Sequence, residues 1–323
     1  MMEFGKKNGF GKMDYNNGDK YTGNWKNDKR EGEGIMEYKN RESYEGDWKN
    51  DMKNGKGKIK FNNKILNCEY RNDKREGNWI IQFKNNEDYI DVNFKDDIII
   101  GEGKYYFKNK NKIIGILNED YNIRKGKMEN INGDIYYGEF DDNCNINGKG
   151  IMRYKDGLIY NGNWKKNIRE GKGYLCSNDE DNEIINNNDR LFEEKKIKDI
   201  FNLKIKDYIF KGNFSNNEIN GDGILYNKYS ENILNNNTIF IGDFEKNIKK
   251  KGTIHFINGS YFEGYWKDDN NIDENKICKL KINELNEISK ICNTDDWIKI
   301  IQKNMLLYYG NYQNNIPFSS NIR

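Results

Sequence analysis

Residues 21–44, YTGNWKNDKREGEGIMEYKNRESY, decide the fold, because the same arrangement recurs with variations along the chain. The stretch holds Tyr21, Gly23 and Trp25 at alternate positions, a charged turn from Lys26 to Glu31, and then Gly32, Gly34, Met36 and Tyr38, again at alternate positions. Side chains alternate faces along a strand, so each set shares one face, while Thr22, Asn24, Glu33, Ile35 and Glu37 fall on the other. That pattern predicts a β-hairpin with an aromatic inner face and a mostly polar outer one. Two glycines in one strand mark places where something large lies against bare backbone, and the Tyr and Trp rings of neighbouring hairpins are expected to cover them. One hairpin alone cannot bury such a face, so the unit has to be repeated.

The lead positions of the first strands fall at Tyr21, Tyr44, Leu66, Ile90, Ile113, Tyr136 and Tyr160, at intervals of 23, 22, 24, 23, 23 and 24 residues. Further leads follow at Phe210, Phe240, Phe262 and Tyr308, which makes eleven units. A half unit, Gly9 to Tyr15, precedes them as a cap. The middle units drift: Cys68 and Val92 stand at glycine positions, Tyr70, Phe94 and Leu117 stand for Trp25, and Trp79 replaces the second glycine of its pair. A ring moved from one strand onto a glycine site of the next can fill the same volume, so the register is expected to survive the drift.

Tyr-x-Gly-x-Trp, a Lys/Asn-rich turn and Gly-x-Gly-x-apolar-x-aromatic at a period near 23 residues resemble the MORN repeat, the membrane occupation and recognition nexus. The resemblance implies an all-β fold, an elongated single-layer array of antiparallel hairpins. It also implies a non-catalytic scaffold of the kind tied to cytoskeletal or membrane-associated assemblies. The expected organisation is an array over residues 1–176 and an acidic, Asn-rich insertion over 177–208. More repeats follow over 209–266, then an insertion over 267–304 and a final half repeat and tail over 305–323. The second insertion is expected to be helical: Leu285, Ile288 and Ile291 recur at helical spacing, and Thr294 or Asp295 could cap a helix bearing Trp297, Ile298, Ile300 and Ile301.

Composition narrows the function. Lys and Arg total 54 against 52 Asp and Glu, a net charge of +2, so the strongly basic balance of a nucleic-acid binder is missing. The 14% aromatic content argues against disorder, and 31 glycines with one proline suit a strand array. The cysteines, Cys68, Cys144, Cys176, Cys278 and Cys292, lack paired metal spacing and are read as reduced thiols. His255 is the only histidine and falls on the outer face, which removes histidine-based triads. No Walker lysine or third glycine follows any Gly-x-Gly pair, and the acidic pairs Asp96 and Asp97, Asp141 and Asp142, and Asp268 and Asp269 read as solvated turn residues. No enzyme, cofactor or metal is expected, and the setting read from the sequence is cytoplasmic, with cytoskeletal or membrane association.

Two surfaces carry a binding expectation. The first is an aromatic groove of Tyr21, Trp25, Tyr38, Tyr44, Trp48, Phe61, Tyr136, Phe140, Tyr154, Tyr160 and Trp164, suited to a helix or extended peptide of a protein partner. The second is a row of basic turns, Lys29, Arg30, Lys53, Lys74, Arg75, Lys165, Arg169, Lys249, Lys250 and Lys251, which could meet anionic phosphoinositides, although interleaved Asp28, Glu31, Asp51, Asp73 and Glu76 cancel much of the charge. Homo-oligomers are compatible with either surface.

Overall fold

The computed structural model describes residues 2–3, 5–177, 208–227, 238–256, 259–267, 273, 279–282 and 306–309. Among these residues every regular element is a β-strand, as the alternation demands. The chain forms two compact units, 1–145 and 146–323.

In the first unit the strands run in hairpin succession, each antiparallel to the next, from Gly9–Asp14 through Lys20–Lys26 and Lys29–Glu37 to Ile135–Phe140. The register follows the glycines. Gly11 pairs with Gly23, Gly23 with Gly34, Gly34 with Gly46 and Gly46 with Gly57. It then passes through the degenerate units without slipping, since Gly57 pairs with Cys68 and Trp79 with Val92. The second unit repeats the scheme from Ile146–Arg153 to Tyr261–Tyr265, with Gly150, Gly162, Gly173, Gly212, Gly223, Gly242, Gly252 and Gly264 in one line across eight strands.

Three expectations need correction. The strand carrying Tyr308, Leu306–Tyr309, does not continue the antiparallel array as a final half repeat; it pairs in parallel with Lys279–Ile282, inside the anticipated helical insertion. Lys279–Ile282 reads KLKI, a period of two, and adds antiparallel to Tyr261–Tyr265. The helical signals at 285–301 lie outside the described residues. Secondly, the outer face of the second unit is not polar throughout. Ile159, Cys176, Ile209, Tyr226 and Ile239 form a buried apolar cluster there, because the residues flanking each lead position in this unit are apolar where the first unit has Lys20 and Ser43. His255, expected to be exposed, is half-buried opposite Ile239, and burial lowers its pKa.

Thirdly, the two glycines of each Gly-x-Gly pair do different work. Gly32, Gly55, Gly77, Gly101, Gly171 and Gly221 sit at positive φ just after the turn, where the register shifts by a bulge. Only the second glycine of the pair meets a ring.

Candidate partner-binding face

Tyr21 lies flat over a glycine pair of its own hairpin. A Cβ on Gly23 would come 2.5 Å from Tyr21 Oη, and one on Gly34 would overlap the same ring. Tyr44 covers Gly46 and Gly57 in this way, and Tyr160 covers Gly162 and Gly173. Each of these tyrosine rings therefore covers the glycines of its own hairpin, whereas the sequence suggested those of a neighbour; the indoles do reach the neighbour, Trp25 lying 3.5 Å from where a Cβ on Gly11 would stand. Trp48 Nε1 donates to the Gly34 carbonyl at 3.2 Å, and Trp164 Nε1 donates to the Gly150 carbonyl at 3.2 Å. The phenols are satisfied locally: Tyr21 Oη donates to the Asn24 carbonyl at 3.1 Å, and Tyr44, Tyr136 and Tyr160 repeat the bond three residues on. Burial pushes the Tyr21 phenol up to about 12, so it stays a donor at neutral pH.

The rings then interlock edge to face. In the first unit Tyr21 meets Trp25 at 5.0 Å and Trp48 at 5.6 Å, and Tyr44 meets Trp48 at 5.3 Å and Tyr70 at 5.7 Å. At Leu66, where the repeat lacks its tyrosine, Trp79 takes the place between Tyr70 (5.3 Å) and Phe94 (5.1 Å). The volume exchange expected from the sequence is thus realised. The second unit carries its own ladder, with Tyr160 touching Trp164 and Phe214, and Phe240 touching Phe244 and Trp266. Such edge-to-face pairs add about 0.5 to 1.5 kcal/mol each beyond the area buried.

The sequence put Tyr21, Trp25, Tyr44, Trp48, Tyr136, Phe140, Tyr160 and Trp164 on one face; within the first unit Tyr21 to Phe140 share a face, within the second Tyr160 and Trp164 do, and in each the rings close the face over themselves, so that all are buried. Tyr38, Phe61 and Tyr154 remain half-exposed. Tyr38 and Phe61 open, with Tyr44, Ile59 and Lys53, onto a cavity of about 440 Å³ rimmed by Asp19 and Glu42. Lys53 Nζ stands 5.8 Å from the Tyr38 ring centroid, 5.1 Å from that of Tyr44 and 5.0 Å from that of Tyr70.

The basic turns are largely engaged by the fold. The hairpin turns at 118–122 and 141–145 have one residue at positive φ, Tyr121 and Cys144; seven others have two, such as Asn27 and Asp28, Asn50 and Asp51, or Lys166 and Asn167, which is a type I′ turn. The second of them grips the preceding hairpin. Asp51 N–H donates to the Arg30 carbonyl at 3.1 Å while Asp51 Oδ1 accepts from Arg30 N–H at 2.9 Å. The same pair of bonds joins Asp28 to Lys7, Asp73 to Lys53, Asp97 to Arg75, Asn217 to Arg169 and Asn247 to Ile219. Arg30 lies over the Trp48 ring at 4.1 Å, Arg75 over Phe94 at 4.4 Å, and Arg169 over Phe214 at 5.5 Å. Lys249 stands 5.9 Å from the Phe240 ring centroid and Lys251 5.6 Å from that of Tyr265. Lys74 pairs with Asp96 and Lys250 with Glu245, whereas Lys29 and Lys165 are exposed.

The sequence carries a signal for this clamp. The position two residues after each turn is Arg30, Lys53, Arg75, Arg169 or Lys249, but elsewhere it is Ile99 or Ile219. A slot that accepts isoleucine packs on rings. Asp97, expected to be merely solvated, is likewise a clamp: the Arg75 backbone N–H, with its guanidinium, holds the carboxyl below the usual carboxylate range. Asp268 and Asp269 lie outside the described residues, and among the described residues no group of three or more His, Cys, Asp or Glu is placed to hold a metal ion.

No curated protein matches the chain. The MORN repeat family matches residues 2–20, 21–42, 44–64, 144–159 and 160–181. Those matches fall where the Tyr, Gly and Trp identities are intact and skip 65–143, where the hairpins continue with Leu66, Cys68 and Trp79 in substituted places. The chain thus carries five MORN repeats over these residues.

Proposed function

We propose that this protein is a non-enzymatic scaffold that holds a protein partner on its ring-bearing face, anchored at the cavity between Tyr38 and Phe61. The observation that carries the reading is the accessible aromatic surface there, in a face otherwise closed by its own rings. A cavity with Tyr38, Phe61 and Ile59 as apolar walls and Lys53, Asp19 and Glu42 at its rim suits one apolar anchor side chain with polar neighbours. A cytoskeletal or axonemal assembly is the setting that the family resemblance supports. The basic turns favour lipid less than their sequence suggested, because Arg30, Arg75 and Arg169 are drawn into the clamps.

The test is cross-linking and affinity purification of the tagged protein from its own cells, compared with a Tyr38→Ala/Phe61→Ala variant whose melting temperature is measured alongside. Loss of one stoichiometric protein from the folded variant supports the reading. Unchanged recovery, or recovery of self-links only, counts against it.

A further inference from the structure

The face opposite the rings is buried in the second unit where it is open in the first. Ile159, Cys176, Ile209, Tyr226 and Ile239 stand side by side there on five neighbouring strands, with Tyr226 1% exposed and Ile209 and Ile239 0%. Apolar identity does not by itself bury such a row. Tyr89 holds the corresponding place before the lead residue Ile90 of the first unit and stacks on its cross-strand neighbour Tyr106 at 4.5 Å, yet it stays 37% exposed. Neighbours within a sheet flank a side chain without lying over it, so near-complete burial requires a second layer. The described strands of the second unit supply none, since from Ile146–Arg153 to Leu306–Tyr309 they pair edge to edge in one sheet.

The chain leaves this face and returns to it at the cluster itself. Cys176 and Ile209 are partners in the register, both belong to the cluster, and the 30 residues 178–207 lie between them in sequence. Those 30 residues are outside the described ones, and what they bring to the argument is their sequence: Leu191, Phe192, Ile197, Ile200 and Phe201 recur among Glu and Lys. The row of five strands measures roughly 19 Å from end to end. A connection of that length spans up to roughly 100 Å when extended, so it reaches every part of the row. The other connection that begins and ends beside the cluster, 228–237, is ten residues long and carries only Tyr229, Ile233 and Leu234 as large apolar side chains.

We propose that residues 191–201 dock on this cluster and supply the second layer of the unit, with Leu191, Phe192, Ile197, Ile200 and Phe201 against Cys176, Ile209 and Tyr226. The occupant is the chain itself because the tether is anchored at the cluster on both sides, which holds these side chains at an effective concentration on the order of millimolar. The first unit has no counterpart, since its hairpins follow one another without a long connection and its row before the lead residues includes Lys20 and Ser43. This inference stands apart from the reading of the cavity at Tyr38 and Phe61: it concerns the other face and other residues, and either can fail alone.

The test follows the Cys176 thiol in the full chain. It is 1% exposed, so iodoacetamide should leave it unlabelled in the parent protein. In Ile197→Ser/Ile200→Ser/Phe201→Ser it should react about tenfold faster or more, while Cys68 in the first unit stays protected. Ile233→Ser/Leu234→Ser should leave Cys176 protected. Should Cys68 react as well, the triple variant has unfolded, and photoreactive p-benzoylphenylalanine in place of Phe201 decides instead. Irradiation should then join position 201 to peptides of the same chain that hold Cys176, Ile209 or Tyr226. Continued protection of Cys176 in the folded triple variant overturns the proposal, and so does exposure caused by the 233/234 variant, which would assign the second layer to 228–237. Cross-links that miss these peptides, or that join two copies of the chain, overturn it too.

Discussion

Asp51 holds Arg30 by four hydrogen bonds: its carboxylate accepts from the Arg30 backbone N–H at 2.9 Å and from Nε at 3.1 Å, its carbonyl accepts from Nη2 at 2.7 Å, and its own N–H donates to the Arg30 carbonyl at 3.1 Å. The guanidinium so fixed lies on Trp48, so turn, ring and preceding hairpin form one joint. Asp51→Ala should lower stability by about 1 to 2 kcal/mol, since two or three hydrogen bonds go but the carboxylate is half-exposed and the ion pair screened. Asp51→Asn keeps the backbone acceptor, as Asn217 does opposite Arg169, and should cost less. Urea unfolding of the three proteins checks the order; an Asn variant as unstable as the Ala one would contradict the joint.

The same geometry predicts a pH dependence. The folded Asp97 pKa lies below its unfolded value of about 3.9, so the unfolded chain binds the proton first. The stabilisation is complete above that value and disappears as pH falls through the lower folded pKa. Glu129, held low by Lys112 and Lys127, acts in the same direction. Melting temperature should therefore drop on acidification below about pH 4, and less steeply in Asp97→Asn than in the parent.

Trp48 is buried between Tyr21 and Tyr44 and bonded to the Gly34 carbonyl. Trp48→Ala should cost about 3 to 5 kcal/mol. Trp48→Phe keeps the ring contacts and loses the indole bond, which adds about 1 kcal/mol to a modest packing loss. Denaturant midpoints with unchanged slopes would establish both values.

Gly32 and Gly34 should fail for different reasons. Gly34→Ala drives a methyl into the Tyr21 ring and should cost about 1 to 3 kcal/mol or more, with part regained when Tyr21 is shortened to Leu. A Cβ on Gly32 would meet only Asn24, at an ordinary contact distance of 3.6 Å, but φ is 71°, so Gly32→Asn should be nearly neutral while Gly32→Val costs about 1 to 2 kcal/mol. A thermal-melt series over the four variants separates clash from backbone strain.

Burial pushes the Cys68 thiol up to about 12 and the Cys144 thiol up to about 11, and Cys68 Sγ also donates to the Gly57 carbonyl. Iodoacetamide at pH 8 should therefore leave both unlabelled in the folded protein and label both in urea, as read residue by residue by mass spectrometry. Ready labelling of folded Cys68 would mean that the face opens.

Much of this architecture was written in local order. Alternation at Tyr21, Gly23 and Trp25, the 22 to 24 residue spacing and the glycine pairs specify strand, register and face, because a slip of one residue would turn every ring outward. The register accordingly holds through Leu66, Cys68 and Trp79, where the identities fail. What the spacing could not specify was whether the aromatic face stays open. That depends on Tyr21 lying flat on Gly23 and Gly34 while Trp48 stands edge-on beside it, a fit between side chains 27 residues apart in sequence. The role of Arg30 was hidden for a similar reason: a basic residue in a turn reads as solvent-facing until the next hairpin brings Asp51 and Trp48 to it. Sequence determined which residues share a strand and a face; only the packed structure decided which of them keep any surface for a partner, because exposure is a property of neighbours that meet only after the hairpins stack.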